Sequence, residues 1–302
     1  MFSFLRPRRM MLFAWLAAAA LGMTGPVPGS ALGAAAVSYQ FIPLDVPAEM
    51  GAYTSAWGNN SAGAIVGNYG PPDGSIHGFL FERGDFADIA VAGAGPGDYG
   101  TLLDINDQGT AVGVYSDADD VAHMFLRGSK GEITVLPDPA PDIVFAEGQR
   151  INNLGQVVGF YIDASGARHG FIWSDGGYQI YDYPGAPRTV LTGINDSGRI
   201  LGYWTDSAGH LHGFVLWHGE TQPLDVPGAV NTRPSDINNH GTITGYYRDG
   251  GGILHGFLYD DGEYTTLDFP GASDTVASGI NNRGEIVGTY DEFSRGFVAT
   301  PR

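Results

Sequence analysis

One unit, written six times, limits what this chain can fold into more than anything else in it. An Asn followed three residues later by Gly recurs at Asn60/Gly63, Asn106/Gly109, Asn152/Gly155, Asn195/Gly198, Asn238/Gly241 and Asn281/Gly284. Successive Asn spacings are 46, 46, 43, 43 and 43, and a second Gly follows the first by four residues in every copy. A period of this size belongs to a solenoid, an array or a propeller.

The copy from Ser235 to Ala272 shows the grammar most clearly. Ser-Asp-Ile-Asn ends a first strand, and Asn-Asn-His-Gly reverses the chain, with Gly taking the positive φ of a bulged type I turn. Ile-Thr-Gly-Tyr-Tyr reads as a second strand, and His-Gly-Phe-Leu-Tyr as a third. Glu-Tyr-Thr-Thr-Leu-Asp-Phe reads as a fourth, closed by Pro-Gly. β-branched and aromatic residues fill these runs and no helical period interrupts them, so the class is all-β. Four strands per repeat predict a β-propeller with one blade per copy.

The two ends of the chain predict a closed ring. The last copy stops at Arg295–Arg302 without a fourth strand, whereas the first is preceded by Phe41–Pro47. The Pro-Leu-Asp-Val-Pro of that segment recurs letter for letter at 223–227. An N-terminal strand therefore completes the sixth four-stranded blade, and an open solenoid, which needs capping repeats, is disfavoured.

Residues 1–36 read as a signal peptide outside the fold. Arg6, Arg8 and Arg9 precede the apolar run Met10–Met23, and small residues near 33–36 suit cleavage. An uncleaved anchor is the alternative, but the run is short for a membrane span. Residues 37–302 then form a single domain, secreted or periplasmic, with no membrane insertion after cleavage. That portion carries 12 basic against 33 acidic residues, a net of −21, and only one Lys, Lys130. Such a balance opposes nucleic acid as a partner, although an acidic surface also serves solubility alone. No cysteine is present, so no disulfide holds the fold. A monomer is expected.

Two recurring side-chain sets bear on chemistry. His77, His123, His169, His212 and His255 occupy one repeat position, with Arg295 in the sixth copy. Symmetry sets such residues apart around a ring, so a hairpin-fixing bond to a nearby Asp is a better reading than a shared metal site. Asp-rich loops stand before them, at Asp117–Asp120, Asp163, Asp206, Asp249 and Asp291. Calcium there is an alternative that clustered carboxylates leave open; no EF-hand or nonapeptide spacing is present. No cofactor is otherwise expected. The chain also lacks a Gly-x-Ser-x-Gly, a His-Glu-x-x-His, a phosphate loop and a dinucleotide fingerprint.

Departures from the repeat point to a site. The column of Gly279 reads Gly58, Asp104, Arg150, Gly193, Asp236 and Gly279, and the preceding column begins with Trp57. Trp57, Asp104, Arg150 and Asp236 are the candidate ligand-binding residues, expected at the channel mouth around one shared space. The alternative is that the three charges neutralise one another across the channel while Trp57 packs.

The units at 151–171, 194–214 and 280–290 resemble the bacterial extracellular HAF repeat, over about residues 40–302. This chain writes Gly, or Met124, where the family name has Ala, and its sixth copy has no His. The resemblance implies secretion and a repeat β architecture, and brings no established activity. The expected function is non-enzymatic binding of a carbohydrate or cell-surface component. The alternatives are a glycan-active hydrolase or lyase using carboxylates on the same face, and a protein-binding scaffold making contact through residues 140–146.

Overall fold

The computed structural model describes residues 38–95 and 100–302. The expected signal peptide at 1–36 lies outside the described residues. The chain is a six-bladed β-propeller of four-stranded antiparallel blades. A first strand, β1 (Tyr39–Leu44), precedes the blades. Blade 1 is β2 (Tyr53–Asn59), β3 (Ile65–Gly70), β4 (His77–Glu82) and β5 (Asp85–Ile89). Blade 2 is β6 (Thr101–Ile105), β7 (Ala111–Ser116), β8 (Ala122–Arg127) and β9 (Ile133–Val135). Blade 3 is β10 (Phe145–Ile151), β11 (Val157–Ile162), β12 (Arg168–Ser174) and β13 (Gly177–Tyr181). Blade 4 is β14 (Thr189–Ile194), β15 (Ile200–Thr205), β16 (Leu211–Trp217) and β17 (Glu220–Pro223). Blade 5 is β18 (Asn231–Ile237), β19 (Ile243–Arg248), β20 (Leu254–Asp260) and β21 (Glu263–Thr266). Blade 6 is β22 (Thr275–Ile280), β23 (Ile286–Tyr290) and β24 (Arg295–Pro301), completed by β1.

The ring closes where the sequence places the closure. β1 pairs antiparallel with β24 from Tyr39↔Pro301 to Leu44↔Gly296. Leu44 and Val46 are buried beside Phe79 and Val287, in the seam between blades 6 and 1. Arg295 adds a 2.6 Å ion pair to Asp45. β1 thereby takes in blade 6 the outer place that β5, β9, β13, β17 and β21 hold in the other blades, so all six present the same short outer edge.

Each blade is built around one close approach. The second Gly of the repeat, in the second strand, lies over the Phe of the third strand. A Cβ on Gly67, Gly113, Gly159, Gly202, Gly245 or Gly288 would come within 2.0–2.7 Å of a carbonyl oxygen of the innermost strand and also meet the Phe ring. The six phenylalanines, Phe79, Phe125, Phe171, Phe214, Phe257 and Phe297, are at most 1% exposed. They form the cores between neighbouring blades together with residues such as Leu102, Leu191 and Ile286. Burying one such ring contributes about 1.5–3 kcal/mol.

A second set of bonds runs around the ring rather than within blades. Each turn Asn donates its Nδ2 to the backbone carbonyl of the equivalent Asn in the next blade. The distances, from Asn60→Asn106 round to Asn281→Asn60, are 3.0, 3.1, 3.2, 3.1, 3.3 and 3.0 Å. In five of the six, the same side chain's Oδ1 accepts the N–H groups two and four residues on, as Asn238 does from His240 and Thr242. All six are at most 7% exposed. The circle therefore closes on itself without using a terminal strand.

Because Asn238 is buried and makes three bonds, Asn238→Ala should lower stability by about 3 kcal/mol, whereas Asn239→Ala on the exposed outer turn should cost less than about 1 kcal/mol. Urea unfolding of the two variants checks this.

Candidate functional site

The channel is shaped by a bulge repeated in all six innermost strands. Register shifts fall at Ala56/Gly58, Leu102/Asp104, Gly148/Arg150, Leu191/Gly193, Pro234/Asp236 and Ala277/Gly279. The residue skipped by each bulge is aimed at the axis. These are Trp57, Leu103, Gln149, Thr192, Ser235 and Ser278, and all six line one cavity of about 510 Å³. That volume lies in the range of about 300–1,000 Å³ common to small-molecule sites.

Just beyond the bulges the channel is blocked by Arg150. Its Nη1 donates to Gln149 O at 2.7 Å and Leu103 O at 3.3 Å, and its Nη2 to Trp57 O at 3.3 Å and to Ser278 O. One guanidinium thus holds carbonyls from blades 1, 2, 3 and 6. Asp236 lies beneath it, with Oδ1 at 3.7 Å from Arg150 Nε. Asp236 accepts the N–H groups of Ile237 at 2.8 Å and Ile280 at 3.0 Å, and Asp104 accepts that of Ile151 at 2.9 Å. Burial pushes both carboxyls up, Arg150 pulls both down, and the net direction is up. Carbonyls face the guanidinium on one side of the waist and amides face the carboxylates on the other. Removing Arg150 alone would strand two buried acids, a loss of about 3–5 kcal/mol.

The four sequence-predicted residues are therefore divided between two spaces. Trp57 and Arg150 line the wide cavity. Asp104 and Asp236 face the opposite side, a pocket of about 50 Å³ rimmed by the Asn circle. That pocket has room for water but not for a sugar. The expectation of one shared space at the mouth is corrected accordingly: these positions lie at the end of the innermost strand, deep in the channel, and the Arg150 side chain spans it.

The wide cavity has two unlike walls. Tyr53, Trp57 and Phe293 come from blades 1 and 6, with the Trp57 indole N–H donated to Asn68 Oδ1. Phe293 stands on a turn in which Asp291, Glu292 and Phe293 have φ of 52°, 58° and 63°. Three successive left-handed residues cost about 1–2 kcal/mol each, and strain of this kind gathers at functional sites. The turn is tied to blade 1 by Ser55 Oγ, which donates to Phe293 O at 3.2 Å.

The other wall belongs to blades 3 and 5 and carries Glu147, Arg233 and Arg248. Arg233 donates to the Tyr246 hydroxyl at 2.6 Å and stands 5.1 Å over the Tyr203 ring and 5.5 Å over that of Tyr246. Burial pushes the Glu147 carboxyl up to about 7 against the pull of Arg233 and of its bond from Gln149. Glu147 and Arg233 were not among the sequence candidates. The signal was one pleat away: two residues before the bulge, the column reads Ser55, Thr101, Glu147, Val190, Arg233 and Val276.

The repeated histidines sit outside the channel and clamp each blade. His169 Nδ1 lies 3.0 Å from Asp182 of the fourth strand, and Nε2 lies 3.4 Å from Asp163 of the preceding turn. His212 repeats this with Asp225 at 2.9 Å and Asp206 at 3.5 Å, and His255 with Asp268 at 2.8 Å. The imidazoles of His169, His212 and His255 stack on Tyr161, Trp204 and Tyr247. Blade 6 substitutes Arg295, which pairs with Asp45 and lies 5.2 Å over Tyr290. Turn carboxylates such as Asp163, Asp206 and Asp249 also accept their own loop's N–H groups, which accounts for the Asp-rich spacing.

No protein family and no curated protein matches the sequence. Solved structures do match in shape. Virginiamycin B lyase from Staphylococcus aureus is 11% identical over 88% of this chain and 100% of its own, with a TM-score of 0.53. The fucose-recognising Aleuria aurantia lectin, a six-bladed β-propeller, is 12% identical over 82% and 92%, with a TM-score of 0.51. TolB from Acinetobacter baumannii is 13% identical over 81% and 65%, with a TM-score of 0.57. The likeness is one of fold.

The clamps and the cavity acid set a pH optimum for stability. Asp163, held by Ser165 and the backbone, and Asp206, held by the His210 N–H, lie at about 2 against 3.8 unfolded, so their contribution is complete above about 4 and lost as pH falls through 2. Burial pulls His169 and His212 down, but their paired carboxylates outweigh it and raise them above 6.5. Their contribution is complete below about 6.5 and lost as pH rises through the raised values. Glu147, raised from 4.5 to about 7, also disfavours the fold progressively as pH climbs across that interval. The melting temperature should peak between about pH 4 and 6. In His212→Gln the alkaline fall should flatten while the acid fall persists, as read by calorimetry across pH.

Proposed function

We propose that this chain is an exported binding module of the HAF-repeat kind, acting in the periplasm or outside the cell. Its ligand, a carbohydrate or cell-surface component, enters the wide end of the axial cavity. One observation carries this reading: the six bulge positions, equivalent by symmetry and all lining one space, hold five kinds of side chain, from the small hydroxyls of Thr192, Ser235 and Ser278 to Leu103, Gln149 and the indole of Trp57. A ring needing only stability has no use for Trp57, Gln149 and Ser235 at equivalent places, whereas one asymmetric ligand does. Trp57 supplies a flat apolar face, Arg150 the floor, and Asp104 and Asp236 hold Arg150 in place. Shape kinship with a lectin supports the class and not the sugar.

Catalysis by Asp104 and Asp236 is disfavoured, since both are committed to backbone amides behind the plug. Glu147 is the acid that keeps a hydrolase or lyase reading in play, because a carboxyl near neutrality can give or take a proton. Residues 37–302 should be retained on one or more members of a panel of insoluble polysaccharides and bacterial cell walls, with no fragments in the supernatant by mass spectrometry. Trp57→Ala should weaken retention about tenfold with an unchanged fold. Fragments released by the parent chain and abolished by Glu147→Gln would convert the module into an enzyme. Retention on no surface would turn attention to protein partners at residues 140–146.

A further inference from the structure

The basic residues of this acidic chain are not spread evenly. Of the 12 Lys and Arg beyond residue 36, Arg150, Arg233 and Arg248 line the wide cavity. Arg168 stands just behind, where burial first, and then the nearby charges of Arg188 and Arg233, hold it below the usual guanidinium range. Arg233 is held in its charged form by Tyr246, Tyr203 and Glu147 despite its burial, and Arg248 donates Nη1 to Gly252 O at 2.6 Å, so both guanidiniums stand charged at the cavity wall. Glu147 is the acid facing Arg233 there, and Glu292 lies at the rim. A net-negative exterior around a positive cleft selects among anions by position rather than by bulk attraction.

A second, independent observation concerns hydroxyls. Thr192 and Ser278 are 2% and 3% exposed, line the same cavity, and their oxygens have no hydrogen-bond partner among the described residues. Thr101, 6% exposed, is in the same position. A buried hydroxyl left unpaired costs about 1–3 kcal/mol, which a ligand's own hydroxyl recovers once the Thr192 or Ser278 side chain turns its oxygen out to the cavity. Opposite the arginines lies the Trp57 and Tyr53 wall, on which the apolar face of a pyranose can rest.

Resting on the binding reading above, we infer that the cavity takes a carboxylate-bearing sugar, its ring against Trp57, its hydroxyls toward Thr192 and Ser278, and its carboxylate against Arg233 and Arg248. Arginine is suited to this because its planar fork meets a carboxylate with two parallel bonds.

The test is calorimetric titration of residues 37–302 with cellobiouronate, cellobiose and cyclohexanecarboxylate. Cellobiouronate should bind at least about tenfold more tightly than either of the others, because a charge-assisted pair and recovered hydroxyl bonds each contribute on that scale. Arg233→Gln should remove most of that preference, read as the ratio of cellobiouronate to cellobiose affinity measured on the variant itself. Arg248→Gln, at a more exposed position, gives the same reading if Arg233→Gln fails to fold. Equal affinity for cellobiouronate and cellobiose would overturn the acidic-sugar inference and leave the binding module standing. Equal affinity for cellobiouronate and cyclohexanecarboxylate would overturn the sugar half of it. No binding by any of the three, combined with no retention on polysaccharide, would overturn both.

Discussion

The circle of six asparagines is the constraint on which the rest of the molecule depends. A propeller must hold its blades at a fixed angle around an open axis, and packing between blades alone tolerates sliding. Each Asn fixes its own turn through Oδ1 and the next blade through Nδ2, so turn geometry and ring geometry are set by the same carboxamide. Each of those carbonyls also accepts the N–H of its own turn Gly, as Asn281 O does from Gly284 at 3.0 Å, so the blade-to-blade bond is added to a closed turn. The outer ring of Asp107, Asn153, Asp196, Asn239 and Asn282 repeats the pattern with backbone N–H groups as donors, on the exposed side.

Above that circle, the repeated bulge turns backbone groups toward the axis, where they need partners away from bulk water. The chain meets this with three charges placed asymmetrically: Asp104 and Asp236 serve amides, and Arg150 serves carbonyls. The same arrangement divides the channel into a small polar pocket and a wide cavity. A solution to a backbone problem thus becomes the floor of the wide cavity. The histidine clamps, by contrast, act at the periphery, and their separation around the ring keeps them from meeting at one ion.

Much of the fold was legible because it is local or periodic. The Asn-x-x-Gly turn, the alternating strands and the matching Pro-Leu-Asp-Val-Pro segments each act over a few residues or recur at a fixed spacing. The candidate site was legible only in part. Trp57 and Arg150 stood out as departures from the repeat and do line the cavity, whereas Asp104 and Asp236 stood out equally and face away from it. Glu147 and Arg233 sit one pleat earlier, where the repeat has no consensus to depart from.

What the sequence determined by itself is the number of blades, their four strands and the closure by β1, since hydrophobic alternation, turn chemistry and repeat length act through neighbours along the chain. Which side of the Arg150 plug each channel residue faces was decided only in the tertiary structure. The bulge rotates consecutive side chains and peptide groups about the axis, and residues from blades 1, 3, 5 and 6 become neighbours only when the ring is closed.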